Sequence, residues 1–157
     1  MGIEIERKFL VDHNQWRQLS KPEGVHYRQG YLATDAKTTT RIRVKDKQGF
    51  ITIKGLSKGI SRSEYEYPIP VDDAIEMLDT LAESEVEKIR YNIHFEGHLW
   101  EVDEFLGDNA GLIMAEIELK DEAETFAKPN WITQEVSDDD RYYNSNLSQN
   151  PFKNWGL

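Results

Sequence analysis

Seven stretches of this chain alternate a charged or polar residue with an apolar one, and the charged half of that alternation limits what the chain can fold into. In a β-strand successive side chains point to opposite faces. "IEIERKFLV" (3–11) then puts Glu4, Glu6 and Lys8 on one side. "TRIRVK" sets Arg41, Arg43 and Lys45 opposite Ile42 and Val44, and "FITIK" sets Thr52 and Lys54 opposite Ile51 and Ile53. "SRSEYEY" sets Arg62, Glu64 and Glu66 opposite Tyr65 and Tyr67. "EKIRYNI" gives Lys88, Arg90 and Asn92, "LWEVDEF" gives Glu101 and Asp103, and "MAEIELK" gives Glu116, Glu118 and Lys120. Ordinary solvent faces mix Thr, Ser, Gln and Lys. These faces carry charge at nearly every position, with like charges about 6.5–7 Å apart along each strand.

The period-2 segments run 3–11, 25–34, 38–55 with a turn at 46–49, 61–70, 88–105 with Glu96-Gly97 as its turn, and 112–120. That predicts about eight strands joined largely by hairpins, hence an antiparallel sheet closed as a sandwich or a barrel. Helices are fewer. Residues 72–84 place Ile75, Leu78, Leu81 and Ala82 on one face with Asp72 as N-cap, and 13–19 form a short helix. A third covers 121–128, stopped by Pro129, and the tail "SDDDRYYNSNLSQNP" (137–151) forms a capped helix ending before Pro151. The class is α+β, predominantly β, and with no repeat or linker the expected unit is one domain over 1–157.

Composition narrows the function. The net charge of −10 argues against nucleic acid or an anionic membrane as partner through the overall field. There is no Cys, so disulfide and thiol chemistry are excluded. The N-terminus lacks the regions of a signal peptide, and Glu6 occupies the position where a myristoylation motif needs Ser or Thr. No run approaches the roughly 18 apolar residues of a membrane helix, so the expected location is the cytoplasm.

Two architectures accommodate the charged faces. In a sandwich they are solvated surface. In an inverted barrel they line a wet tunnel, and the apolar faces pack outward under the helices. A ring of Lys and Arg suits a linear polyphosphate, because guanidinium forks match phosphate oxygens and ammonium groups add point charge. Acids beside that anion require a divalent cation between them, as in sites where Mg²⁺ is shared by one or two carboxylates and substrate phosphates.

"EIERK" (4–8) resembles the ExExK motif of the CYTH superfamily, the triphosphate tunnel metalloenzymes. "YRQGYL" (27–32), "RIRVK" (41–45), "TIKG" (52–55), "GISRSEYE" (59–66), "KIRY" (88–91), "WEVDEF" (100–105), "AEIEL" (115–119) and the tail 135–151 follow in family order. The resemblance implies a closed eight-stranded antiparallel β-barrel with a charged interior and a few peripheral helices. It implies Mg²⁺ or Mn²⁺ and a triphosphate- or polyphosphate-bearing small molecule, with the short bacterial tripolyphosphatases the most similar members. By motif position Glu4, Glu6, Glu116 and Glu118 resemble metal-side carboxylates, with Glu64, Glu66 and Asp103 as further members of that group. Lys8, Arg41, Arg43, Lys54, Lys88 and Arg90 resemble the phosphate-binding lining. Arg62 and Lys45 join them or face solvent near a tunnel mouth. Lys8, Glu6 and Glu118 are the expected catalytic residues, and Tyr27 is carried as a neighbour of Lys8 across the first strand pair.

Other signals read as structure. His94 and His98 have the spacing of a helical zinc pair but flank a turn, which puts them on opposite hairpin arms. "GLSKG" (55–59) lacks Walker spacing and reads as a mobile loop after Lys54. "DDD" (138–140) reads as a helix start, and Trp16, Trp100, Trp131 and Trp155 as packing residues. The competing functions are a class IV-type adenylate cyclase making cAMP and pyrophosphate from ATP, and a polyphosphate-binding module without turnover.

Overall fold

The structure is a computed structural model that describes residues 2–33, 35 and 37–156. Its strands are β1 (Ile3–Val11), β2 (Val25–Tyr31), β3 (Thr38–Lys45), β4 (Gln48–Gly55), β5 (Ser61–Ile69), β6 (Ser84–Phe95), β7 (His98–Phe105), β8 (Ile113–Glu118) and β9 (Ile132–Glu135). The α-helices are α1 (His13–Gln18), α2 (Val71–Thr80) and α3 (Asn144–Gln149). Every strand pairs antiparallel, in the order β5-β4-β3-β2-β6-β7-β8-β1-β9, and a β1–β5 pairing closes the first eight into a barrel. Successive stretches of β1 serve the closure: Glu4 pairs with Arg62 of β5, Glu6 and Lys8 with Glu118 and Glu116 of β8, and Val11 with Ile132 of β9.

The apolar faces lie outside this wall. Phe9, Trp100, Val102, Ala115 and Ile117 pack outward beneath Trp16 of α1 and Trp131, in edge-to-face aromatic contacts of 5.4–6.1 Å between centroids. A second cluster joins Val86, Phe105 and Met114 to Tyr142 and Leu147 of the C-terminal segment. A third packs Ile42 against Ala74 and Leu78 of α2. Two glycines let α2 approach: a Cβ at Gly30 would stand 2.7 Å from Leu78 Cδ2, and one at Gly49 would stand 2.9 Å from Ala74 Cβ. Among the described residues no helix is long and apolar enough to cross a membrane.

Several expected elements differ. The expected helix over 121–128 is an irregular segment: Asp121 accepts from the Ala123 amide, Glu124 from the Lys120 amide, and Phe126 packs edge-on against Phe9 and Trp100. Local side-chain acceptors and burial of one aromatic replace the helical ladder. The α2 N-cap is Pro70 rather than Asp72, and the buried stripe is Ala74 and Leu78, leaving Ile75 and Leu81 exposed. The helix ends before 84 because Ser84–Glu87 extend β6, pairing with Tyr31–Arg28 of β2. The tail breaks into a 3-10 turn at 140–142, capped by Asp139, and then α3, which stops before Pro151. β9 was not anticipated, since "ITQE" is too short to show periodicity. β2 ends at Tyr31; Thr34, the expected end of that strand, lies outside the described residues. Phe95 and His98 pair across the Glu96-Gly97 turn, so His94 and His98 do sit on opposite arms.

Candidate functional site

Because the apolar faces turn outward, the charged faces of β1 and β3 to β8 meet inside the barrel. They line a cavity of about 190 Å³ together with Tyr31, Thr39 and, from the C-terminal segment, Tyr143, Asn144 and Ser145. The tail reaches the lumen from a course alongside β1, continuing the β9 pairing: the Val136 amide donates to the Lys8 carbonyl and the Lys8 amide to Ser137 Oγ.

One wall is acidic. Glu6 and Glu118 are register partners, as are Lys8 and Glu116. Lys8 Nζ donates to Glu6 Oε1 at 2.5 Å. Lys54 Nζ donates to both Glu4 oxygens at 3.1 Å and lies 3.3 Å from Glu64, while Arg62 Nε reaches Glu4 at 3.5 Å. Burial pushes the Glu6 carboxyl up, but Lys8, Lys54 and a hydrogen bond with Glu116 together outweigh it and bring the group down to about 2. Burial likewise pushes Lys8 down, and Glu6 and Glu116 bring it above its ordinary value. Among the described residues Glu118 has no such partner. Burial, then Glu4, Glu64, Glu6 and Glu101, push its carboxyl up to about 7.

The opposite wall is basic. Arg43 Nε donates to Gln29 Oε1 at 2.9 Å, and no carboxylate pairs with it among the described residues. Burial, Arg41 and Arg90 bring its guanidinium down to about 10. Arg41 Nη2 donates to Thr52 Oγ1 at 3.0 Å and to Glu66 at 3.3 Å, while its Nε is buried with no hydrogen-bond partner among the described residues. Lys88, 1% exposed, contacts Asp103 at 2.8 Å and Asn144 Oδ1 at 2.9 Å. Burial brings Lys88 down to about 7; Asp103 opposes that shift, and Arg90 and Arg43 add to it.

Of the residues expected from sequence, Glu4, Glu6, Lys8, Arg41, Arg43, Lys54, Arg62, Glu64, Glu66, Lys88, Arg90, Glu116 and Glu118 all line this one cavity. Asp103 does not. It is 1% exposed behind the lining, with both oxygens engaged by Arg90 (2.7 and 2.9 Å), and it braces the basic wall instead of joining the acids. Tyr27 is not beside Lys8, because β1 and β2 are not neighbours in the barrel. Its buried ring lies 4.8–5.9 Å from the cationic groups of Arg43, Arg90, Lys45 and Lys88, an aromatic floor under the basic wall. Lys45 stands over that ring outside the lining.

Gln29, Tyr31, Thr39, Glu101, Tyr143, Asn144 and Ser145 were missing from the expected site. Tyr27, Gln29 and Tyr31 share one period-2 face of β2, so extending the alternation to "YRQGY" would have found Gln29 and Tyr31. Glu101 was on a charged face already. The three tail residues carry no local signal.

The acidic wall suits a hard divalent cation, since its donors are carboxylate oxygens, and burial together with their mutual repulsion pushes the Glu118 carboxyl up to about 7. Among the described residues no three His, Asp or Glu side chains are yet drawn together as an ion's ligands; Lys8, Lys54 and Arg62 hold Glu4, Glu6 and Glu64.

Comparison with known proteins agrees with this arrangement. A family model described as "CYTH domain" matches residues 2–148. The chain is 55% identical over 156 residues to an inorganic triphosphatase of Acetivibrio thermocellus, covering 99% of each chain. It is 39% identical over 154 residues to an inorganic triphosphatase of Nitrosomonas europaea, covering 92% of this chain and 96% of that one. A crystal structure of an inorganic triphosphatase superposes with a TM-score of 0.65 at 35% identity, over 92% of this chain and 97% of that chain.

Proposed function

This chain belongs to the CYTH domain family, and on that premise we propose that it hydrolyses inorganic tripolyphosphate to orthophosphate and pyrophosphate inside the tunnel, with Mg²⁺ or Mn²⁺. The observation that carries the reading is the separation of charge within one cavity. Acids crowd Glu118 on one wall and cations crowd Arg43 on the other, so the lumen favours a cation and a polyanion bound side by side.

Glu4, Glu6, Glu64, Glu116 and Glu118 would hold the metal, which would act as a Lewis acid on phosphoryl oxygens and offset their charge. Lys88, Arg41, Arg43 and Arg90 bind and orient the phosphate chain through donors held by neighbouring strands. The unpartnered Arg41 Nε is a ready donor to an anion oxygen. Lys8 stands among the acids of β1 and β8, 2.5 Å from Glu6, where it stabilises charge on the phosphoryl group in transfer. Lys54 and Arg62 hold Glu4 and supply further positive charge beside it. Positioning and electrostatics carry phosphoryl transfer, so no covalent nucleophile is needed. The lumen, about 190 Å³ and lined mostly by charged side chains, suits a small linear anion. We place the working protein in the cytoplasm.

A phosphate-release panel over tripolyphosphate, pyrophosphate, ATP and thiamine triphosphate, each with Mg²⁺, Mn²⁺ and EDTA, tests this. Metal-dependent release from tripolyphosphate ahead of the others is the expected result. Formation of cAMP from ATP, or tight binding with no turnover, would overturn it.

A further inference from the structure

Two amides sit where the basic wall meets the tail. Gln29 is fully buried, and each of its polar atoms is in use. Its Oε1 accepts from Arg43 Nε at 2.9 Å, and its Nε2 donates to Tyr31 Oη at 3.0 Å and to Asn144 Oδ1 at 3.2 Å. Asn144, half-buried at the start of α3, accepts from Lys88 Nζ at 2.9 Å with the same oxygen. Arg and Lys only donate, so the two amide oxygens must face them and the orientation of the network is fixed. Other lining cations, Lys8, Lys54, Arg41, Arg90 and Lys88 itself, lie against carboxylates. Arg43 lies against an amide of the same size as Glu.

Within the triphosphatase reading given above, we propose that Gln29 and Asn144 are positioning residues, which aim Arg43 and Lys88 into the lumen without adding a carboxylate to either: Arg43 keeps its positive charge free for a phosphate, and Lys88, already 2.8 Å from Asp103, meets no second acid. A carboxylate at either position would hold the cation equally well but compete with the anion for it. An apolar residue would leave the charge free but the donor unaimed. Asn144 acts from a segment 115 residues away from Gln29 in sequence, so docking of α3 completes the basic wall.

Calorimetric titration with tripolyphosphate in EDTA tests this without metal or turnover. Gln29→Glu and Asn144→Asp should each weaken binding by on the order of tenfold, and more than Gln29→Met and Asn144→Ala do. Their thermal midpoints should equal or exceed those of the Met and Ala variants. With Mg²⁺, KM should rise more than kcat falls. A merely structural role predicts the reverse order, because the acids preserve the bonds to Arg43 and Lys88. If Gln29→Glu fails to fold, the half-buried Asn144 pair decides alone. Acid variants that bind as tightly as the unsubstituted protein, or more tightly than Met and Ala, overturn the inference, as does an unsubstituted protein that does not bind tripolyphosphate in EDTA. If the predicted order holds but tripolyphosphate is not hydrolysed, the triphosphatase reading alone fails.

Discussion

Glu6 and Glu118 face each other as register partners on β1 and β8, yet their carboxyls are driven in opposite directions, Glu6 down to about 2 and Glu118 up to about 7. Against burial, Lys8 with Lys54 and a hydrogen bond from Glu116 accounts for the first, and burial among four other acids for the second.

A group raised in the folded state contributes stability that is fully present below its unfolded value and lost as pH rises through the folded one. For Glu118 that loss spans roughly pH 4.5 to 7. In EDTA, Glu118→Gln should therefore melt above the unsubstituted protein at pH 8, with the gap closing towards pH 5. Glu6 behaves oppositely: its contribution persists above about pH 4.5 and disappears only as pH falls through about 2. Thermal midpoints from pH 5 to 8 check the Glu118 difference, and a flat difference would show that the acids do not repel as the geometry requires.

Metal binding should release the Glu118 proton. The affinity for Mn²⁺ should rise with pH through about 7, and Glu118→Gln should flatten that rise. Titration of Mn²⁺ followed by electron paramagnetic resonance at pH 6, 7 and 8 measures it directly.

Two substitutions separate catalysis from folding. Glu6→Gln keeps an acceptor for Lys8 but removes a metal-side charge, and should lower kcat by about a hundredfold or more, the range of a lost electrostatic group, while the circular dichroism spectrum is unchanged. Lys8→Ala should lower kcat/KM to a comparable degree. Wild-type rates for either variant at saturating Mg²⁺ would remove that residue from the reaction.

Asp103 should behave as a structural acid. It holds Arg90 through two bonds and Lys88 through a third, at 1% exposure. Removing one member of such a buried group costs about 3–5 kcal/mol, so Asp103→Ala should be destabilised in urea even with Mg²⁺ present. Glu118→Gln, by contrast, should be no less stable than the unsubstituted protein at pH 8.

The charged lining was legible because alternation with period 2 is a local property, and most of the charged residues expected from it line the cavity, with Asp103 and Lys45 as exceptions. Alternation does not say what lies behind a face. Asp103 and Glu101 read alike in "WEVDEF", and only packing separates the buried brace from the lining acid. Neighbour relations between strands were equally hidden: Tyr27 seemed close to Lys8 because their segments are consecutive, whereas closure of the barrel puts β8 and β5 beside β1. Tyr143 and Asn144 reach the lumen because the tail runs on from β9 alongside β1, a course that no local pattern encodes.

An inverted barrel keeps its stability on the outside. Trp100 has 0% exposure and packs against Phe9, Phe126 and Trp131 on the outer face of β7, while its strand neighbour Glu101 lines the lumen. Its indole Nε1–H has no partner among the described residues, so its contribution is packing alone. Truncation of a buried Trp costs about 3–5 kcal/mol, a large part of the 5–15 kcal/mol that typically holds a domain together. Trp100→Ala should therefore lose most of its stability in urea, whereas Glu101→Gln, one residue along, should shift the midpoint little. If the two substitutions destabilise the chain equally, the load is not carried by the outer face.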